Sequence, residues 1–178
     1  QGGAAYDPLR NTWQDNYQAP RQALAAAALA AWGVPSKQDW MPRAARTVAA
    51  EVVKGLRQET VKTPDGQERP CAHVGEAGRS ELALTAQVLV GLAMVESAVP
   101  DEATHKAIAQ LANAVLVSQQ ADGSFKVFFA PGTSAELVAK DIEDLRGETL
   151  SLLALALAYD RTGAAEYLAA ARKTAEYL

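Results

Sequence analysis

Apolar residues recur at helical spacing along most of the chain and divide it into six predicted helices of two kinds. The helices that are apolar on every face cover residues 21–32, 80–97 and 147–161, and those with one apolar stripe and one charged face cover 39–58, 101–119 and 164–178. A helix that is apolar all round is buried on all sides, whereas a one-sided stripe marks a surface helix. We therefore expect Leu89 and Leu153, on the third and fifth helices, to lie in the core.

The regular alternation of the two kinds predicts two layers of antiparallel helical hairpins, with the odd-numbered helices inside. The tripeptides at 79–81 and 146–148, which open the third and fifth helices, both begin with Arg and end with Glu. This weak internal repeat fits hairpins that stack because one unit cannot bury its own apolar face. The predicted fold is all-α and forms a single domain over residues 1–178.

Two long connections, residues 59–79 and 120–146, interrupt the helices and are expected at one end of the molecule. Loops of that length in a compact domain are usually functional or disordered. The first contains a Pro-Asp-Gly turn at 64–66, which predicts a small β-hairpin, and the second contains an alternating, strand-like run at 124–129. Residues 1–20 are predicted to form an ordered loop or a short helical turn at the same rim.

Composition and charge argue against several classes of partner. Alanine, the best helix former, makes up about a fifth of the chain, and the net charge is −4 with no cluster of Lys or Arg. A nucleic-acid partner is therefore not expected. No apolar stretch reaches the length of a membrane span. Cys71 is the single cysteine, so neither an internal disulfide nor a zinc knuckle is predicted.

The ends of the chain and its missing motifs add three expectations. The chain begins at Gln1 rather than Met and stops inside a helical pattern, so both ends are predicted to be cut. A cleaved signal peptide would make the protein periplasmic or secreted, and the sequence leaves its localisation open. Phosphate-loop, Rossmann and nucleophile-elbow motifs are absent, and the acidic run at 141–144 lacks calcium-loop spacing, so no cofactor and no metal are predicted.

Two stretches carry a resemblance to known proteins. Residues 147–156 (GETLSLLALA), followed by DRTG at 160–163 and YLAAA at 167–171, resemble the repeat of N-acylglucosamine epimerase-like and glucuronyl C5-epimerase-like proteins. The turn QQADGSF at 119–125 is similar to one in terpene-cyclase-type and glycosidase-type toroids. The resemblance, over about residues 80–178, implies an (α/α) toroid of six or so hairpins. Only three are present, so a partial toroid is expected, which a missing second half or self-association would complete.

The resemblance implies a domain that acts on or binds a poly- or oligosaccharide, of epimerase, lyase or glycosidase type. Because toroid families share the hairpin and not the chemistry, two alternatives stay open. One is a non-catalytic helical scaffold for protein–protein interaction, and the other is a terpenoid-cyclase-like pocket. A sugar site predicts a polar rim with exposed aromatic residues, whereas a scaffold predicts that the rim groups are paired off and that an apolar patch is exposed elsewhere.

Three residues on the long-loop rim are candidates for acid–base chemistry. Glu81 and Glu148 begin equivalent inner helices and could act as general acid or base, as paired carboxylates do in carbohydrate chemistry. The alternative is that each glutamate only complements a helix start. His73, in the first long connection, could be a general base near neutral pH, or a hydrogen-bonded loop histidine.

The candidate substrate-binding residues flank the same rim. Arg79 and Arg146 could bind a uronate carboxylate in a bidentate manner, or pair with the neighbouring glutamates. Trp13, Tyr17 and Phe125 could stack on sugar faces, or pack beneath the long loops. A last candidate is Asp122, for which the alternative is an Asp-Gly turn.

Overall fold

A computed structural model describes residues 19–63, 66–75, 80–129 and 147–178, and the backbone alone of 5–7, 12–14 and 145–146. Within these ranges the helices are α1 (Ala19–Gly33), α2 (Trp40–Gly55), α3 (Leu82–Ala98), α4 (Glu102–Val117), α5 (Leu145–Thr162) and α6 (Ala165–Tyr177). The strands are β1 (Ala5–Asp7), β2 (Thr12–Gln14), β3 (Arg57–Lys62), β4 (Glu68–His73), β5 (Ser80–Glu81) and β6 (Phe128–Phe129). No helix in the described part is both long and apolar enough to span a membrane.

The helices pack as a mostly helical body around α3. Helix α3 lies between α1 and α5 and contacts both, while α2 packs on α1 and α6 packs on α5. Helix α4 packs on α3 and α5, and it has smaller contacts with α2 and α6. The predicted helical hairpins α1–α2, α3–α4 and α5–α6 are therefore present. Closure of these hairpins into a toroid stays a prediction.

A close approach between α1 and α3 brings the first two hairpins together. Helix α1 turns a face of small buried residues toward its neighbours, namely Ala23, Ala26, Ala27 and Ala30. A Cβ added to Gly91 of α3 would lie 2.7 Å from both the carbonyl carbon and the Cβ of Ala23. The alanines and this glycine thus let the two helix backbones pack closely, which larger side chains would prevent.

The odd-numbered helices differ in burial, which corrects part of the sequence prediction. Leu89 on α3 is fully buried, as predicted. Leu153 on α5 is 43% exposed, and on α1 Leu24 is 39% and Trp32 68% exposed, so burial on all sides is wrong for these two helices. Among the described helices, α3 has a neighbour on either side, whereas α1 and α5 are the end members of the row. An end helix buries the faces that it turns toward its neighbour in the row and toward its hairpin partner, and its opposite face stays exposed.

The β3–β4 hairpin is longer than predicted and is tied to the helices by side chains. Six residue pairs match across it, from Arg57 opposite His73 to Lys62 opposite Glu68. Arg69 forms two 2.8 Å hydrogen bonds with the carboxylate of Glu166 on α6, which lower the pKa of that carboxyl group. On α4, Asn113 donates to the carbonyl oxygen of Pro70 at 2.9 Å. These contacts dock the hairpin on the even-numbered helices.

Four local features differ from what the sequence predicts, and strand pairing or helix capping explains them. Helix α2 ends at Gly55 rather than at residue 58, because the next residues form β3. Asp39 directly precedes α2 and is of a residue type that favours the N-cap position, but its side chain makes no capping hydrogen bond. The carboxylate of Asp101, in contrast, accepts one from Thr104 N at 2.9 Å and caps α4. The run at 124–129 contributes only the two-residue strand β6, which pairs with β5. In the segment predicted as loop or helical turn, β1 pairs with β2.

Candidate functional site

Helices α3 and α5 begin side by side, at a shallow depression beside the segment that follows α4. Leu82 N at the start of α3 donates to Val127 O at 2.9 Å, and Glu148 at the start of α5 lines the depression together with Phe125. The depression has a volume of about 20 Å³, which is room for about one water molecule. A site for a small molecule usually encloses several hundred Å³. A sugar or terpenoid pocket is therefore not formed by the residues that the structure describes here.

Glu148 holds the segment that follows α4 against the start of α5. The side chain is buried, and its Oε1 atom accepts a hydrogen bond from Phe125 N at 3.0 Å. Phe125 is itself buried, so its ring is not available to stack on a sugar face. A buried carboxylate that accepts a backbone N–H across two elements is a structural anchor.

Glu81 has a different setting although it precedes the equivalent helix. It is exposed, it occupies the N-cap position of α3, and its side chain makes no capping hydrogen bond. Its backbone pairs with Phe128 of β6. The two glutamates therefore begin neighbouring helices against one segment, but of the two only Glu148 is buried and accepts a hydrogen bond from that segment.

His73 lies inside the molecule rather than on the rim. It is fully buried, its Nε2 atom is 3.2 Å from Glu59 Oε1, and the ring centroids of His73 and Phe129 are 5.0 Å apart. Its Nδ1 atom has no hydrogen-bond partner among the described residues. Two residues before it, burial raises the pKa of the Cys71 thiol to about 12, so this thiol stays protonated and unreactive. Neither side chain is accessible to a substrate.

Asp122 is part of a turn that fastens the end of α4 to the end of α6. Its carboxylate accepts hydrogen bonds from the backbone N (3.0 Å) and the hydroxyl (2.7 Å) of Ser124, and these bonds lower its pKa. The Nε2 atom of Gln119 donates to Thr174 Oγ1 at 2.8 Å and to Ala170 O at 2.9 Å. The alternative stated for Asp122, an Asp-Gly turn, is the arrangement that the structure contains.

The roles of Gln119 and Thr174 were not predicted from the sequence. The role of Gln119 could have been predicted from its position, because an amide side chain at the start of a turn can bind neighbouring backbone groups. Thr174 lies on α6, 55 residues further along the chain, so only the tertiary structure brings it to the turn.

The remaining candidates are not tested by these geometries. Arg79 and Tyr17 lie outside the described residues, and so does the acidic run at 141–144. Only the backbone of Trp13 and Arg146 is described, and Trp13 pairs with Tyr6 across β1–β2. No group of three or more His, Cys, Asp or Glu side chains within the described ranges could hold a metal ion.

An apolar surface that the sequence analysis did not single out lies on the side of α1 turned away from α3. We call it the α1 face, and it comprises Leu24, Ala25, Ala28, Ala31 and Trp32, extended at the α1–α2 turn by Val34 and Trp40. Trp32 is 68%, Val34 54% and Trp40 53% exposed. Trp32 belongs to a helix that the sequence predicts to be buried on all sides, and Trp40 matches the apolar period of α2, so the helical period alone does not reveal their exposure. Their signal was the Gly-Val-Pro turn that follows Trp32, since turns run over the surface.

The two glutamates make a matched pair for a stability experiment. We expect Glu148→Ala to lower the free energy of unfolding by about 2 kcal/mol, because it leaves the buried Phe125 N–H without its acceptor. Glu81→Ala removes an exposed side chain with no capping bond and should change it by less than about 0.5 kcal/mol. Urea unfolding of both variants measures the difference. Equal effects would contradict the different roles assigned to the two glutamates.

Comparison with known proteins gives no relative from which a function could be inferred, so the proposal below is based on the geometry of the described residues. No family model, no curated protein and no solved structure matches the chain. The resemblance to toroid families over residues 80–178 stays a prediction.

Proposed function

We propose that this chain is a non-catalytic helical scaffold that binds a protein through the α1 face. The supporting observation is a division of roles between two surfaces. The described polar candidates at the long-loop rim, apart from Glu81, are engaged in holding the fold together. Four exposed large apolar residues, among them Trp32 and Trp40, lie together in the chain on and beside α1, whereas the other described ones are spread over α3, α5 and α6. This is the combination that distinguishes a scaffold from a sugar site.

The chemistry of the rim candidates supports a structural role. A general acid or base must come within hydrogen-bond reach of the proton that it transfers. His73 is fully buried beside Glu59, and Glu148 is buried with Phe125 N bonded to it. Asp122 reaches only its own turn in the hydrogen bonds described above. These groups stabilise junctions between elements, which is the work of a scaffold.

The composition of the α1 face supports a protein partner. Protein interfaces are enriched in tryptophan and depleted of charge at their centre. The face exposes two tryptophans, and no charged residue occurs from residue 22 to residue 36. Exposed apolar residues scattered singly are normal on a protein surface, whereas a contiguous apolar stripe along one helix marks an interaction site.

The carbohydrate function remains an alternative that rests on the resemblance. Its remaining candidates are the exposed Glu81 and residues whose side chains are not described, such as Arg79 and Arg146. A terpenoid-cyclase-like pocket has less support, because the depression at the helix starts holds about 20 Å³. Binding of sugars to the purified protein would favour the first of these alternatives.

A photo-crosslinking experiment tests the scaffold. A photoreactive amino acid replaces Ala28 at the centre of the α1 face, and Arg172, exposed on α6, in a matched control. We expect irradiation in the producing cells to join the chain to a protein at position 28 and not at 172. Trp32→Ser should abolish this adduct, whereas Leu153→Ser on α5 should leave it intact. No adduct at position 28, or equal adducts at both positions, would overturn the proposal.

A further inference from the structure

We infer that the protein bound by the α1 face is a second copy of this chain, packed with its α1 antiparallel to the first about a twofold axis at Ala28. This inference rests on the proposed function, since it names the partner of the same surface. It depends on three properties of the face: its mirror symmetry along the helix, its lack of charge and its area.

The residues of the α1 face are arranged symmetrically about Ala28. Ala25 and Ala31 lie three residues to either side of it, and Leu24 and Trp32 lie four residues to either side. All five are exposed. The buried alanines of the same helix lie on its opposite side, where Ala23 approaches Gly91 of α3. The exposed stripe therefore has small residues at its centre and one large apolar residue toward each end.

A twofold axis through the crossing at Ala28 makes the α1 faces of two copies complementary to each other. In a symmetric dimer the same patch occurs on both copies, so residue i contacts j and j contacts i. With antiparallel helices crossing at Ala28, Leu24 of one copy packs beside Trp32 of the other, and Ala25 beside Ala31. Small residues at the crossing let the helices approach, and the larger residues fill the space where the helices diverge. A stripe with large residues at its centre would not close in this way.

The charge distribution permits two identical copies to meet at this face. Each copy carries a net charge of −4, so two copies repel one another at long range. The face itself carries no charge from residue 22 to residue 36, so the crossing at Ala28 opposes no like charges. The exposed Arg21, Lys37 and Asp39 lie at its edges. Added salt screens the long-range repulsion and leaves apolar contacts in place. Self-association should therefore become tighter as salt is raised.

The exposed area fits a reversible dimer. At about 150–250 Å² for a whole aromatic side chain, Trp32 and Trp40, exposed at 68% and 53%, offer roughly 200–300 Å² per copy. With Leu24, Val34 and the three exposed alanines, two copies bury on the order of 1,000 Å², which lies at the boundary between transient and stable interfaces. The dimer should therefore dissociate on dilution.

Sedimentation velocity over a concentration series measures the association directly. We expect a reversible monomer–dimer equilibrium that shifts toward dimer at higher salt. Trp32→Ser should weaken dimerisation at least tenfold. The control Leu153→Ser removes another exposed apolar side chain, from α5, and should leave dimerisation unchanged. Circular dichroism confirms that each variant is folded. A wild-type chain that stays monomeric at every concentration and salt, or a dimer that only Leu153→Ser disrupts, would overturn the inference.

Cysteine cross-linking tests the register. The native Cys71 is buried, so it does not compete with exposed thiols. Under oxidation Ala28→Cys should form a covalent dimer, and a mixture of Ala25→Cys with Ala31→Cys should cross-link faster than either alone. In the antiparallel dimer, residue 25 of one copy lies opposite residue 31 of the other. The two residues 25 are therefore offset by six residues, about 9 Å along the helices, which is beyond the Cα separation that a disulfide spans. Equal rates for the mixture and the single variants would contradict the antiparallel register.

The two proposals can fail separately. One outcome is that the chain sediments as a monomer and that its adduct at position 28 contains a different protein. This outcome overturns the proposal of a second copy and supports the proposal of a scaffold. An adduct of two copies supports both proposals. Absence of any adduct at position 28, together with monomeric sedimentation, overturns both.

Discussion

Gly91→Ala should lower the free energy of unfolding by about 3 kcal/mol, although alanine is the better helix former. On an exposed helix the same change would stabilise by up to about 1 kcal/mol. At Gly91 the added Cβ would lie 2.7 Å from both the carbonyl carbon and the Cβ of Ala23, and 2.9 Å from its carbonyl oxygen. Because two of these atoms are backbone, α1 must move away from α3, and overpacking of this kind is destabilising. Urea unfolding of the variant measures the loss.

A second substitution locates the cause of that loss. Ala23→Gly in the Gly91→Ala background removes the contact between the two Cβ atoms and leaves the contact with the backbone of residue 23. We therefore expect the double variant to regain only part of the stability, after allowance for the effect of Ala23→Gly alone. A Gly91→Ala variant as stable as the wild type, or more stable, would contradict the close packing of α1 on α3.

Gly123→Ala should lower the free energy of unfolding by about 3 kcal/mol, for two reasons that act together. The residue has a φ of +102°, where a side chain is strained by itself. An added Cβ would also lie 2.5 Å from the carbonyl oxygen of Lys173 and 3.2 Å from the Cβ of Tyr177. The turn between α4 and β6 would have to leave the end of α6, to which Gln119 also binds. Thermal unfolding and hydrogen exchange in the last turns of α6 report the change.

Gly163→Ala is the matched control for the Gly123 substitution. It also has a positive φ, +71°, but an added Cβ would meet nothing within 4 Å. Its expected loss is about 1 kcal/mol, the strain of the left-handed conformation without a steric clash. Equal losses at the two glycines would show that backbone conformation alone explains the effect at Gly123. That result would contradict the close contact of the turn at Gly123 with the end of α6.

The sequence determined where most of the secondary structure forms. Helix α4 illustrates this, since its period predicts the stripe that includes Ile108 and Leu111, and Asp101 supplies its cap. The hairpin β3–β4 was predicted from a turn whose conformation needs glycine, and Gly66 has a φ of +84°. These features depend on interactions between residues close in the chain. The interactions that stabilise these features can therefore be recognised from the local sequence.

The partner of each polar group was decided by the fold. That Glu148 begins α5 was readable from its position, but its bond to Phe125 N joins residues 23 positions apart. His73 and Glu59 are brought together by the register of β3 with β4. The residue types at the rim were equally suited to catalysis and to structure. Only the burial and the partners, which depend on long-range packing, favour the structural role.

The exposure of α1 shows the limit of a periodic pattern. The sequence determined that α1 is helical and apolar on all faces, because that depends on residue spacing alone. Whether such a helix is central or terminal depends on which neighbours dock on it, and this is a property of the tertiary structure. Helix α3 has a neighbour on both sides and buries Leu89, whereas α1 lies at the end of the row and exposes Trp32. The same kind of sequence thus forms a core in one place and an apolar surface in another, because burial is set by the surroundings of a helix.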